Sequence, residues 1–121
     1  MEFLRFRPQW LRDSGTGAIN VELDPEVNFM LHEVRLTLEA QGGVGAGSFT
    51  ITLESGAGTP FNLFQTLLAE QNMENEDTFI FRPIAEQRIL FEEGDALKFE
   101  WPNGAVASKA YALEIIWSPI Y

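Results

Sequence analysis

The sequence predicts an all-β domain: a single antiparallel sandwich or barrel of about eight strands, with little or no helix. Three observations carry this. Apolar and polar residues alternate with period two in short runs along the chain. Glycine-rich or Asn-Gly turn chemistry punctuates those runs. None of the six prolines lies inside a clean run, as ladder hydrogen bonding requires.

In chain order, Ile19, Val21 and Leu23 alternate with Asn20 and Glu22. Val34, Leu36 and Leu38 alternate with Arg35, Thr37 and Glu39. AQGGVGAGS (40–48) then reads as a flexible hairpin loop. Phe49, Ile51 and Leu53 alternate with Thr50, Thr52 and Glu54, and SGAG (55–58) ends the run. Each run has one dry and one wet face, the pattern of antiparallel sheets.

The segment 59–79 fits two periods. Thr59-Pro60 can cap a short helix that places Phe61, Phe64 and Leu68 on one face. Phe61, Leu63 and Leu67 also fit alternation, and a strand over about 61–68 is the favoured reading. Glu74 to Asp77 form a solvated loop, and Phe79-Ile80-Phe81-Arg82 resumes a strand. EEGD (92–95) turns the chain between Ile89-Leu90-Phe91 and Ala96-Leu97-Lys98-Phe99. Leu97, Phe99 and Trp101 form one stripe, closed by WPNG (101–104). Tyr111, Leu113, Ile115 and Trp117 form the last.

A chain of 121 residues is one domain by length, and ten phenylalanines give its core bulk. There is no cysteine, which excludes disulfide scaffolds, zinc-thiolate sites and thiol catalysis. Glu2 follows Met1 and no signal-like apolar run follows, nor does any stretch reach the length of a membrane span. The expectation is a soluble protein that is not secreted.

The charge is unevenly placed. The chain carries −10, yet residues 1–12 (MEFLRFRPQWLR) sum to +2 and the rest to −12. A nucleic-acid reader needs a basic face, because phosphate contacts supply most of its affinity. An acidic body argues against nucleic acid and against an anionic membrane surface as partners.

No catalytic or metal signature emerges. The glycines of 42–47 lack the Lys-Ser/Thr of a phosphate loop and are flanked by strands. Glu92, Glu93 and Asp95, like Glu74, Glu76 and Asp77, lack the spacing of a calcium loop. Eighteen acids always offer some pair at glycosidase separation, and nothing selects one. His32 is the only histidine and no G-x-S-x-G elbow exists, so His32 is expected to pack or hydrogen-bond within its strand. No enzyme activity, cofactor or metal is expected. Trp101 and Trp117 continue dry stripes and belong to the core; Trp10 and Tyr121 lie outside such stripes.

The second half of the chain resembles a group of small β-sandwich proteins of tailed bacteriophages. The resemblance spans roughly residues 30–118: VRLTLEAQGGVGAGSFTITLESGAGTPFNLFQTLLAEQNM, FRP, ILFEEGDALKFEWPN and YALEIIW. In that group a Gly-Asp turn follows a short apolar strand and a tryptophan-ended strand closes the chain. The resemblance implies a jelly-roll-like sandwich and a structural virion role of the head decoration or cement type. It implies no catalytic residues. The partner would be a major capsid protein or another virion protein, the domain a homo-oligomer, and its location the virion after synthesis in a bacterial cytoplasm.

The N-terminal segment stands apart from that resemblance. Residues 1–17 read as an arm or as a first edge strand, with Ser14-Gly15-Thr16-Gly17 as a joint to the sandwich of 18–121. Phe3, Leu4, Phe6, Trp10 and Leu11 offer apolar area worth about 25 cal/mol per Å² when covered. Arg5, Arg7 and Arg12 suit carboxylates on a neighbouring copy or on a shell. The expected partner-binding residues are Phe3, Arg5, Phe6, Arg7, Trp10, Arg12 and Tyr121. FLRFR either adds to a neighbour's sheet or is the first strand at home. A carbohydrate-binding sandwich is the alternative reading, which requires exposed aromatics on one sheet face.

Overall fold

The structure, a computed structural model, describes residues 7–55, 64–83 and 90–120. Nine strands run through them: β1 (Gln9–Gly15), β2 (Ile19–Leu23), β3 (Phe29–Leu38), β4 (Ser48–Ser55), β5 (Phe64–Asn72), β6 (Thr78–Phe81), β7 (Leu90–Phe91), β8 (Ala96–Trp101) and β9 (Tyr111–Pro119). One sheet has the order β1-β9-β3-β6, with β7 on β3; the other has the order β2-β8-β4-β5. Every pairing is antiparallel.

The connectivity is that of a long hairpin closed at β4–β5. β3 pairs with β6, β2 with β8 and β1 with β9, so the first half of the chain folds back along the second. Successive pairs fall in alternate sheets, which rolls the hairpin into two Greek keys. The all-β sandwich expected from the sequence is present, in jelly-roll topology.

The loop expected to close a hairpin, and two further turns read from the sequence, cross between the sheets. AQGGVGAGS leads from β3 in the first sheet to β4 in the second, EEGD from β7 to β8, and WPNG opens the crossing from β8 to β9. A glycine-rich turn supplies backbone freedom, and that freedom serves an arch between layers as well as a tight hairpin.

Side chains alternate as the pleat demands. From the first sheet, Phe29, Leu31, Val34, Leu36, Leu113 and Ile115 point inward and are buried. From the second, Ile19, Phe49, Ile51, Leu97, Phe99 and Trp101 meet them. Each such Phe, Leu or Ile stabilises the fold by about 1.5–3 kcal/mol on burial. Phe49 of β4 meets Phe79 of β6 edge-on at 5.9 Å and joins the layers. Phe29 stacks on Phe91 at 5.0 Å and takes the edge of Trp117 at 6.2 Å. Trp101 is fully buried, and Trp117 is half-buried against the same core.

Two bulges adjust this pattern. The β3–β9 register shifts between Leu31 and Glu33, so the inward residues run 29, 31, 34, 36, 38. The inserted His32 lies against Ser118 Oγ of β9. The β4–β5 register shifts between Ile51 and Thr52, leaving Leu68 between two paired neighbours. The strand spans 64–72, later than expected, and the first residues of the expected run lie outside the described residues.

Four connections meet at one end of the sandwich. Gly42 donates to Met73 O, Gly104 donates to Ala46 O, and Met73 donates to Gly47 O. A Cβ on Gly42 would lie 2.4 Å from Met73 O, so only glycine fits. Asn103 ties the fourth connection, between β1 and β2, to that between β8 and β9, from a left-handed φ of 50°. Its Nδ2 lies 2.9–3.1 Å from the carbonyls of Thr16, Gly17 and Lys109, and its Oδ1 accepts from Lys109 N.

Candidate docking edge

β1 is the outermost strand of the first sheet, and among the described residues it pairs with β9 alone. Its register runs without a shift from Gln9 opposite Trp117 to Gly15 opposite Tyr111. An edge strand turns every second residue's N–H and C=O away from its one neighbour, so it can template another strand. The other edges are weaker templates. β6 is four residues long, β2 is five, and β5 carries the bulge.

Little of β1 is apolar, and in the sequence it lies within residues 1–17, read as an arm or a first edge strand. Leu11 alone reaches the core, half-buried. Asp13, also inward, accepts a 2.7 Å hydrogen bond from Tyr111 Oη. Burial, joined by that bond and the carboxylate's charge, pushes Tyr111 up to about 12.

Outward, β1 presents Trp10 and Arg12. Trp10 is 54% exposed, beside Ile116 in register. Arg12 Nε donates to Glu114 Oε2 at 2.7 Å, and the Arg12 side chain remains 70% exposed. The row continues across the sheet, with Glu114 opposite Arg35 and Arg35 opposite Ile80. One row away, Glu33 meets Arg82 at 2.6 Å and Arg35 at 3.5 Å. Arg12, Arg35, Ser14, Thr37, Ala112 and Glu114 line a shallow dish of about 660 Å³.

This face is electrostatically unlike the rest. Three arginines (12, 35 and 82) face two glutamates (33 and 114). By the same alternation, the outer face of the second sheet presents Glu22, Glu70 and Glu100 against Lys98, while Glu54 on that side is buried and held by Gln65 and Lys98. The sequence showed the basic N-terminal segment but not that Arg35 and Arg82 would join Arg12, because sheet register alone brings them together.

Of the expected partner-binding residues, the structure brings Trp10 and Arg12 to this edge, with Arg7 exposed two residues before it. Phe3, Arg5, Phe6 and Tyr121 lie outside the described residues. Ser14 and Gly15, expected in a joint, are the last residues of β1.

Other candidates have local roles. Asp95 Oδ2 accepts from Glu92 N at 2.9 Å, and Asn28 Oδ1 accepts from Glu93 N. Glu74 Oε2 accepts from Gly45 N, and Glu74 N donates to Asn72 Oδ1. No group of three metal-ligating side chains forms among the described residues. His32 lines neither the dish nor a second hollow bounded by Asn20, Ser48, Thr50 and Glu100.

Fold and site together define a jelly-roll β-sandwich with an unbulged edge bordered by a basic face. No protein-family model matches the chain, and no curated protein matches it. Among solved structures the chain is similar to the crystal structure of PirA, with a TM-score of 0.45, 16% identity and 96% of each chain covered. It is also similar to the cryo-EM structure of the virus-like particle of giant freshwater prawn Macrobrachium rosenbergii extra small virus. There the TM-score is 0.32 and the identity 9%, over 97% of this chain and 82% of that one. At such scores neither likeness carries weight for activity.

Proposed function

We propose that the domain is a structural component of a virus particle, of the type that decorates or cements the head of a tailed bacteriophage. It acts by protein–protein contact, without catalysis or cofactor, and it resides in the virion. The observation that carries this reading is the open β1 edge beside the one described face where cations outnumber acids. The resemblance of residues 30–118 to small phage sandwich proteins points the same way. Acidic surface on a capsid protein would meet Arg7, Arg12, Arg35 and Arg82, and Trp10 would supply apolar contact.

A sugar-binding module is less well supported. Stacking on saccharides calls for ring faces arrayed on one sheet, and Trp10 is the lone aromatic among the described outward side chains.

The test is quantitative mass spectrometry of purified particles, followed by co-sedimentation of the protein with shells stripped of it. Copies on the scale of the shell subunits, rebinding to stripped shells, and weaker rebinding by Arg12→Glu are expected. Absence of the protein from purified particles overturns the reading.

A further inference from the structure

We infer that β1 pairs antiparallel with β1 of a second copy about a two-fold axis at Leu11, so that the unit that docks is a dimer. This rests on the docking reading and refines it: a second copy takes the β1 edge, and the outer face with Arg35 and Arg82 is left for the shell.

A two-fold axis normal to the sheet places one residue opposite itself and its neighbours opposite each other on matching faces. Few registers are possible, and the side chains of β1 separate them. An axis at Arg12 or at Asp13 sets like charges face to face, which destabilises a cross-strand pair. An axis at Trp10 draws Pro8, which has no N–H, into the ladder.

An axis at Leu11 has none of these faults. Leu11 meets its mate on the inner face, where it is only half-buried in the single copy. Gln9 lies opposite Asp13, a donor facing an acceptor. On the outer face Trp10 lies opposite Arg12 of the second copy, twice by symmetry. The Arg12 Nε holds Glu114 while most of that side chain stays open to a ring. Pro8 falls at the end of the ladder, opposite Ser14, where a missing donor costs least. The contact is isologous, so it closes at two copies and consumes both edges instead of growing a filament.

The absence of cysteine from the chain makes the register directly testable. Leu11→Cys, oxidised mildly, is expected to give disulfide-linked dimers, because the two Cβ atoms face each other across the axis. Ser14→Cys is expected to stay unlinked, since residues three from the axis stand about 20 Å from their mates. By sedimentation equilibrium the unmodified chain is expected to dimerise, with Trp10→Ala and Arg12→Ala each weakening association by about tenfold or more. An unmodified chain that stays monomeric overturns the inference, as does cross-linking of Ser14→Cys as readily as Leu11→Cys. The sedimentation result stands whether or not Leu11→Cys folds. Shells bound by monomer would sink the dimer alone; a dimer absent from particles would sink the virion reading alone.

Discussion

Tyr111 and Asp13 are diagonal neighbours across the β1–β9 ladder, and the phenol of one donates to the carboxylate of the other at 2.7 Å. The pair fastens the outermost strand from the inner side, where β1 has little apolar area of its own.

That bond makes the attachment of β1 sensitive to alkali. Tyr111 titrates near 10 when unfolded and at about 12 in the fold. Its contribution is therefore fully present below pH 10 and is lost as pH rises from 10 through about 12. In a Tyr121→Phe background, tyrosinate absorbance should report a midpoint near the upper value. Asp13→Asn should move it down. A midpoint of about 10 in the folded protein would contradict the described contact.

Asn103→Ala should cost about 2–4 kcal/mol in urea unfolding. It strands carbonyls that now share the amide and forces alanine into a left-handed conformation. Asn103→Gly should recover about 1 kcal/mol of that, because glycine tolerates the backbone but makes no bond. Equal losses for both would remove the conformational part of the argument.

Gly42→Ala should destabilise by about 2 kcal/mol or more, since the new methyl meets Met73 O at 2.4 Å and Ala46 Cβ at 2.8 Å. Gly17→Ala is the control: nothing lies within 4 Å of its Cβ, and a change within about 0.5 kcal/mol is expected. Thermal unfolding of the two variants side by side measures the difference.

Stability and docking should separate at the basic face. The Arg12–Glu114 pair is exposed, so Arg12→Ala should cost less than about 1 kcal/mol. Shell binding by the same variant should weaken, and binding by the unmodified protein should fall as salt shortens the Debye length to a few ångströms. A loss of binding matched by a loss of fold would assign Arg12 to stability instead.

Most strands were legible because burial on one face writes itself as alternation. The stripes of Ile19–Leu23, Leu97–Trp101 and Tyr111–Trp117 match β2, β8 and β9 closely. Even the bulge at His32 left a trace, as the doubled gap between Leu31 and Val34. The bounds of β1 were not legible within the arm or edge strand read over residues 1–17, because QWLRDSG sends only Leu11 into the core, and pairing to β9 by backbone hydrogen bonds carries no hydrophobic signature. Turn chemistry showed where the chain reverses but not into which sheet it goes. That choice depends on partners far away in sequence. Of the candidate edge, Trp10 was legible as an outlier from the dry stripes and Arg12 as one of the N-terminal arginines, whereas Arg35 and Arg82 read as ordinary wet-face residues.

The position of β9 between β1 and β3 also sets the order in which this chain can become itself. On a ribosome β9 emerges after the other eight strands, so nothing joins β1 to β3 until synthesis has passed Pro119. Until then β1 and β3 wait with bare flanks, and among the described strands β4–β5 is the one partnership between neighbours in sequence that can form early. Slow maturation and a need for protection from stray strands are the expected price of such a plan.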